Sequence, residues 1–551
     1  MRSVRSLLFC ASFAAASLLQ FSALAQVTSQ RLEKAAADPS NWMMYSGTYD
    51  SQRYSRLQQI NKTNVKRLDL EWVVQNQVPG VWQSNPLVVD GIMYVTQRPN
   101  DVMAIDAKTG KHFWLYRWTP DANARVCCGS NNRGLAMLGD TLFLGTLDAH
   151  LIAIDAKTGK PVWNVAVGDV KAAYSITMAP LIVKDKVLVG VGGGEFGIRG
   201  YVAAYDAKTG KEVWRHYTVP APGEPGSETW SGDDWKNGGA PIWTMGSYDP
   251  ALNLVYFGTG NPGPDWNPAQ RPGDNLYSDS VIALNPDTGE RSWYFQFTPH
   301  DAYDFDATQI PVLADITWKG RPLKAMLFAN RNGFFYILNR ATGEYLSGTA
   351  FTKLNWASGL DAKGRPITVD LPPDTPVYPG NQGGTNWYPP AYSPRTGLFY
   401  FSTWENYAST YRREEVTYQP GRIFTGGGSQ VPPPAPGAPT VGIGRRGPID
   451  NWTSEVGSGA TVAWNPLTGK QAWRFPQFDV VDAGLLATAS DIIFTGGREG
   501  YFYALDARSG KVLWKASLGG AIVMAPVTYA VNGKQYVSVI AGNVLATFTL
   551  H

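Results

Sequence analysis

The chain has 551 residues, 44% of them hydrophobic and 17% charged, with 48 basic side chains against 45 acidic ones. That balance excludes a disordered polyelectrolyte, and a formal charge of +3 with no Lys/Arg stripe gives no electrostatic case for nucleic-acid binding. The 58 Gly, 38 Pro and 20 Trp favour many short strands and tight turns over long helices.

Residues 1–25 read as a signal peptide. Arg2 and Arg5 form a positive head, an apolar run follows from Leu7 to Leu19, and Ala23-Leu24-Ala25 supplies a small-x-small cleavage pattern. The mature chain, 26–551, is therefore expected to be exported, starting at Gln26. The apolar run is shorter than the ~20 residues a membrane span needs, and no later stretch is long and apolar enough, so no membrane span is expected. Cys10 leaves with this segment, and Cys127 and Cys128 remain, adjacent to each other. In an oxidising compartment two thiols with no other partner are expected to bond to each other, two free buried thiols being the alternative. Consecutive Cα atoms lie ~3.8 Å apart, below the usual disulfide range of roughly 4.4–6.8 Å, so such a ring is strained. Strain of that kind concentrates at functional sites. No C-x-x-C-H occurs, so covalent haem is not expected.

One phrase recurs along the chain: Ala-x-Asp/Asn-x-x-Thr/Ser-Gly-x-x-x-Trp. Its copies run from Ala104 to Trp114, Ala153 to Trp163, Ala204 to Trp214, Ala283 to Trp293, Ala463 to Trp473 and Ala504 to Trp514. A seventh, Leu338-Asn339-Arg340-Ala341-Thr342-Gly343, keeps the turn but loses the Trp. The phrase reads as a strand, an Asx-started turn with Gly at the positive-φ position, and a second strand whose Trp packs between neighbouring units. Apolar hairpins lie between the copies, at 86–95, 135–145, 179–190, 240–258, 311–329, 388–402, 486–496 and 526–541. Eight hairpins against seven turn phrases predict an all-β, eight-bladed β-propeller, with seven blades second. The missing strands are expected from the chain ends, 544–550 and the segment around 42–46. Sharing the last blade between both termini removes an open sheet edge. One insertion interrupts the repeats, a Gly/Pro-rich surface loop at about 412–450 that either covers a site or decorates the rim.

Residues that break the blade pattern are the candidates for chemistry, since a propeller by itself says little about function. Gly192-Gly193-Gly194-Glu195-Phe196-Gly197 sets one carboxylate among glycines, and Gly258-Thr259-Gly260-Asn261-Pro262 ends a strand with an amide oxygen. Pro299-His300-Asp301-Ala302-Tyr303-Asp304-Phe305-Asp306 concentrates three carboxylates, of which Asp304 and Asp306 point to one side if extended. Such oxygens without thiol or imidazole partners suit a hard cation. Each of these signals taken alone also fits a solvated turn or loop.

Together they carry a resemblance. From about residue 40 onward the chain resembles the pyrroloquinoline quinone (PQQ)-dependent methanol/ethanol dehydrogenases, periplasmic eight-bladed propellers holding a quinone and a metal on the central axis. The motifs are Val126-Cys127-Cys128 with Asn132-Arg133-Gly134, Gly194-Glu195-Phe196-Gly197-Ile198-Arg199-Gly200 and Thr229-Trp230-Ser231-Gly232-Asp233-Asp234-Trp235-Lys236. Phe257-Gly258-Thr259-Gly260-Asn261-Pro262 and Thr298-Pro299-His300-Asp301 continue them in the same order. The resemblance implies that the Cys127–Cys128 ring lies on one face of the quinone and Trp243 on the other. It implies that Arg133, Thr177, Gly193, Gly194, Asn386 and Trp387 hold the quinone's carboxylates and carbonyls. Glu195, Asn261 and Asp304 match metal ligands, Asp304 also the general base, and Arg331 a cation near the reactive carbonyl.

A carboxylate at Asp306 resembles the lanthanide-using branch, and one more negative oxygen favours a trivalent ion. Two quinone-bordering positions depart from the family: Gln83 stands where Glu is common, and Val481-Asp482-Ala483-Gly484 lacks a common Trp. The implied function is oxidation of a small primary alcohol to an aldehyde by hydride transfer to PQQ, with a soluble cytochrome c as electron acceptor. A homodimer is compatible with this reading. The alternatives are a calcium-dependent alcohol or polyol dehydrogenase of the same chemistry and a non-catalytic propeller scaffold.

Overall fold

The computed structural model describes residues 27–430, 458–477 and 479–551. The predicted signal peptide, and residues 431–450 of the predicted insertion, lie outside the described residues.

Each turn phrase joins the third and fourth strands of a four-stranded antiparallel sheet. In the third blade Leu181–Val183, Lys186–Gly190, Tyr201–Asp206 and Glu212–Tyr217 pair in that order. Eight such sheets arrange as an eight-bladed β-propeller, as the count of hairpins predicts. The inner strands are buried on both faces, while the outer ones alternate, because only one of their faces meets a neighbour.

The repeated Trp leaves its own blade. Its ring lies on the turn glycine of the next one: Trp114 on Gly159, Trp163 on Gly210, Trp214 on Gly289, Trp293 on Gly343 and Trp473 on Gly510. In four of these the indole N–H donates to a carbonyl of that same next blade, as from Trp114 to Ala156 at 3.0 Å and from Trp214 to Pro286 at 2.9 Å, whereas that of Trp293 finds no partner among the described residues. Where the fifth blade lacks a Trp, Gly469 of the sixth meets Thr349 instead. At Gly289 φ is +76°, and a Cβ would lie 2.6 Å from Trp214 Cε3. Gly289→Ala is therefore expected to destabilise the protein by about 1–3 kcal/mol, read as a lowered urea midpoint at unchanged slope.

Both termini build the last blade, but the N-terminal strand is not the expected one. Leu68–Gln75 pairs antiparallel with Val544–Leu550, Leu68 opposite Leu550 and Gln75 opposite Val544. Its Trp72 docks on Gly110 of the first blade and donates to Ala107 O at 3.3 Å. The segment around 42–46 makes only a bridge, with Trp42 N–H donating to Val88 O at 2.8 Å. The physical reason is local. The chain turns at Gly47 (φ +82°), packed against the Trp42 ring, whereas Leu68-Asp69-Leu70-Glu71-Trp72-Val73-Val74-Gln75 is long enough to cover a blade edge. Tyr54–Ser55 adds a fifth strand, parallel to Leu486–Thr488 of the seventh blade.

Antiparallel order fixes where chemistry can sit. If the innermost strand of every blade starts at one face, then the connections between blades and those between second and third strands all lie on that face. The turn phrases lie on the opposite one. Gln83, Cys127, Cys128, Arg133, Thr177, Trp243, Asp304, Asp306, Asn386 and Trp387 fall in connections between blades. Glu195, Asn261 and Arg331 fall between second and third strands. Fifteen-odd loops of unrelated sequence therefore converge on one face by topology alone.

Candidate active site

Arg331, 4% exposed, follows strand Arg321–Ala329 of the fifth blade and holds two aspartates. Its Nη1 donates to Asp306 Oδ2 at 2.5 Å and its Nη2 to Asp304 Oδ2 at 2.8 Å. Its Nε donates to Asn381 O at 3.0 Å, which fixes the fork. The other Asp306 oxygen accepts the Asn261 backbone N–H at 2.7 Å. Asp304 and Asp306 reach one partner, though the extended backbone supposed from the sequence is not there: Asp304 has φ +61°, in the left-handed region. Gly260 is required there, since a Cβ would lie 2.6 Å from Asp306 Oδ1. His300 is structural, its Nδ1 bonded to Gly273 O at 2.7 Å.

Glu195 sits in a short 3-10 turn, Gly194–Phe196, after strand Lys186–Gly190. A Cβ at Gly194 would lie 3.9 Å from Asn261 Oδ1, and one at Gly193 (φ +120°) would strike Ala173 O at 2.4 Å. Gly193 therefore has no room for a side chain, and Gly194 brings the backbone beside Asn261. Cys127 and Cys128 form a disulfide, Cα to Cα 3.8 Å, and their sulfurs and the Glu195 carboxylate lie within 4.8 Å of one another. Arg133 donates to Thr177 Oγ1 at 2.9 Å and lies 5.0 Å from the Trp243 ring and 4.5 Å from that of Trp387. Asn386 Oδ1 accepts the Trp387 backbone N–H at 2.8 Å. Gln83 is 1% exposed, and its Oε1 accepts no hydrogen bond among the described residues. In the stretch 481–484, which departs from the resembled family by lacking a Trp, Asp482 accepts from Arg498 Nε at 2.9 Å in a buried ion pair.

The electrostatics are dominated by crowded, buried acids. Burial holds the Asp304 carboxyl well above the ordinary range against the pull of Arg331, with Asp306, Asp301 and Glu195 adding to it. Burial raises Asp306 too, opposed by Arg331 and Asn261. Asp301 is pushed up to about 6 by burial, although its oxygens accept the Tyr303 and Phe305 N–H groups. For Arg331, burial works against the charge, but Asp304, Asp306 and Asp301 outweigh it and hold the guanidinium above its ordinary value. A hard cation would relieve this excess of acid.

Sequence reasoning missed two participants. Asp265, 3% exposed, follows Asn261 by four residues, and its carboxyl is held well above the ordinary range by burial, then by Glu195, Asp304 and Asp306. Arg271, fully buried, donates to Asp265 O at 3.0 Å and to Asp301 O from the same Nη2, tying two loops together. Of the two roles the sequence leaves open for the insertion, its described part takes the first, lying over Glu195 and Trp266. Thr410–Arg413 pairs with Gly427–Gln430, Phe424 N–H donates to Glu195 O at 2.7 Å, and Trp266 N–H donates to Thr425 O at 2.9 Å. An unpaired acid in a Pro/Gly loop gives no sequence period by which to find it. A separate small cleft beside Leu32, Met44, Tyr49 and Ile182 shares none of these residues.

The donor set fits a planar, polycarbonyl anion beside a hard cation. It offers aromatic faces, an Arg133–Thr177 pair, a buried amide, a glycine cradle and oxygen-only ligands. Over residues 42–353 the chain matches the family described as glucose/ethanol/alcohol dehydrogenase, beta-propeller domain, and over 458–550 that of the outer membrane protein assembly factor BamB. It is 38% identical to the quinoprotein alcohol dehydrogenase PedH of Pseudomonas putida, over 98% of this chain and 93% of PedH. It is likewise 38% identical to a lanthanide-dependent methanol dehydrogenase of Methylacidiphilum fumariolicum, over 93% of this chain and 86% of that protein. The solved quinohemoprotein alcohol dehydrogenase ADHIIG from Pseudomonas putida superposes with a TM-score of 0.89 at 36% identity, over 96% of this chain and 83% of that one. A europium-containing methanol dehydrogenase superposes with a TM-score of 0.85 at 34% identity, over 95% and 100%.

Proposed function

This chain belongs to the PQQ-dependent quinoprotein alcohol dehydrogenases, and from that premise we propose that it oxidises primary alcohols to aldehydes with PQQ and a lanthanide ion. The observation that carries the metal reading is Asp306. Its carboxylate is buried, shares Arg331 with Asp304 and accepts from Asn261, so it faces the cluster and not the solvent. The names of relatives that depend on lanthanides or contain europium support the same reading.

Bound at this face, PQQ supplies a hydride-accepting carbonyl carbon, and the cation supplies Lewis acidity. Glu195, Asn261, Asp304 and Asp306 would hold the cation. Gln83, Arg133, Thr177, Gly193, Gly194, Asn386 and Trp387 would hold the quinone, between Trp243 and the Cys127–Cys128 ring. Asp304 is the proton acceptor for the alcohol hydroxyl, with Arg331 fixing the direction of its free oxygen. Arg331 also favours negative charge developing on a nearby oxygen. The 410–430 covering segment limits water at the Glu195 and Asn267 side of the site.

Export to the periplasm rests on residues 1–25 and on a disulfide suited to an oxidising compartment. With no haem-attachment motif in the chain, a soluble cytochrome c is the proposed electron acceptor. The test is reconstitution: chelator-treated mature protein receives PQQ with lanthanum or calcium, a series of alcohols and a dye acceptor. Turnover is expected with PQQ plus lanthanum and not with either alone. Turnover with calcium only reassigns the metal, and none under any pairing favours the scaffold reading.

A further inference from the structure

Asp265 is a buried acid with no assigned role. It lies in the loop that begins at Asn261, and that loop is pinned at both ends to the stretch carrying Asp304 and Asp306. At one end the Asn261 N–H donates to Asp306 Oδ1 at 2.7 Å. At the other, one Arg271 nitrogen donates to both Asp265 O and Asp301 O. Trp266, the next residue, donates its N–H to Thr425 O at 2.9 Å, so the covering segment keeps the side chain from turning to solvent.

The Asp265 carboxyl has no ion-pair partner among the described residues, and its Oδ1 accepts no hydrogen bond there. The nearest guanidinium is spent elsewhere. Arg271 Nε donates to Pro264 O at 2.9 Å, Nη1 to Asn275 Oδ1 at 2.9 Å, and Nη2 to the two carbonyls. Burial, then the charges of Glu195, Asp304 and Asp306, hold the carboxyl well above the ordinary range against the pull of Arg271. A buried, unpartnered carboxylate among like charges is costly unless a cation compensates it.

We propose that Asp265 is an additional carboxylate of the cation site, facing it from the blade-four loop and biasing it toward a trivalent ion. The proposal rests on the cation reading given above and adds a charge that reading does not use. Removing one negative charge penalises an ion of charge three half again as much as one of charge two at equal distance.

The experiment measures metal binding directly. Full-length mature protein carrying PQQ is freed of metal with a chelator and titrated with Tb³⁺, followed by Trp-sensitised luminescence, then with Ca²⁺ in competition. Asp265→Asn, nearly isosteric, is expected to weaken Tb³⁺ at least about tenfold, and Ca²⁺ by less. Asp265→Glu, which keeps the charge, is expected to retain most of the preference, and it serves as the folded control if the Asn variant melts early. An unchanged Tb³⁺-to-Ca²⁺ ratio in Asp265→Asn overturns the role of Asp265 while leaving the cation site standing. Failure of the unmutated protein to bind either ion overturns the cation site itself, and this proposal with it.

Discussion

Asp304→Asn is expected to lower kcat by about 10²–10⁴-fold at saturating metal and PQQ, the loss typical of a missing general base. The substitution preserves shape, so the Arg331 Nη2 contact at 2.8 Å can be kept to the amide oxygen, but nothing remains to take the hydroxyl proton. Since Asp304 is also a proposed ligand, the metal has to be saturating when rates are compared. Turnover with an alcohol deuterated at the carbinol carbon separates the two roles. A larger isotope effect on kcat in the variant marks a slowed chemical step. Full kcat with only a weaker metal would reduce Asp304 to a ligand.

Asp306→Ala is expected to abolish lanthanum-stimulated turnover and to weaken lanthanum by more than ~100-fold, with a smaller loss for calcium. The side chain is bonded to Arg331 at 2.5 Å and to Asn261 at 2.7 Å, and also to Trp243. In the variant Arg331 keeps Asp304 as its partner, so the fork stays oriented while one negative charge leaves the cluster. Calorimetric titration with lanthanum and calcium reads the two affinities separately. Lanthanum dependence equal to that of the unmutated protein would refute the assignment.

Much of this was legible because the repeated phrase reports its own physics. Glycine at a positive φ and Trp at a fixed offset are one contact seen from two blades, so the phrase counts blades. The count of eight blades held, and only the closing strand was misplaced, where that contact is built from other parts. Trp72 performs the docking from a strand with no turn phrase before it, which is why 42–46 was taken for the closing strand instead of Leu68–Gln75. At the site, adjacent cysteines and a Gly-flanked Glu195 stand out because their local sequence is unusual. Asp265 and Arg271 do not, since an acid after Pro and an arginine before Pro are ordinary in a loop. Their importance comes from burial, and burial there depends on the covering segment around Phe424 and Thr425.

The pairing of Leu68–Gln75 with Val544–Leu550 has a consequence in time. One of these strands leaves the ribosome among the earliest parts of the chain and the other last, so the circle cannot shut until synthesis is finished. Until then Leu68–Gln75 has no strand to pair with and exposes its edge to any stray partner. Gln83 lies just past that early strand, on the way into the first blade, so its place beside the proposed quinone site is fixed in the same late act. A chain that ends before Val544 therefore cannot close its ring of blades.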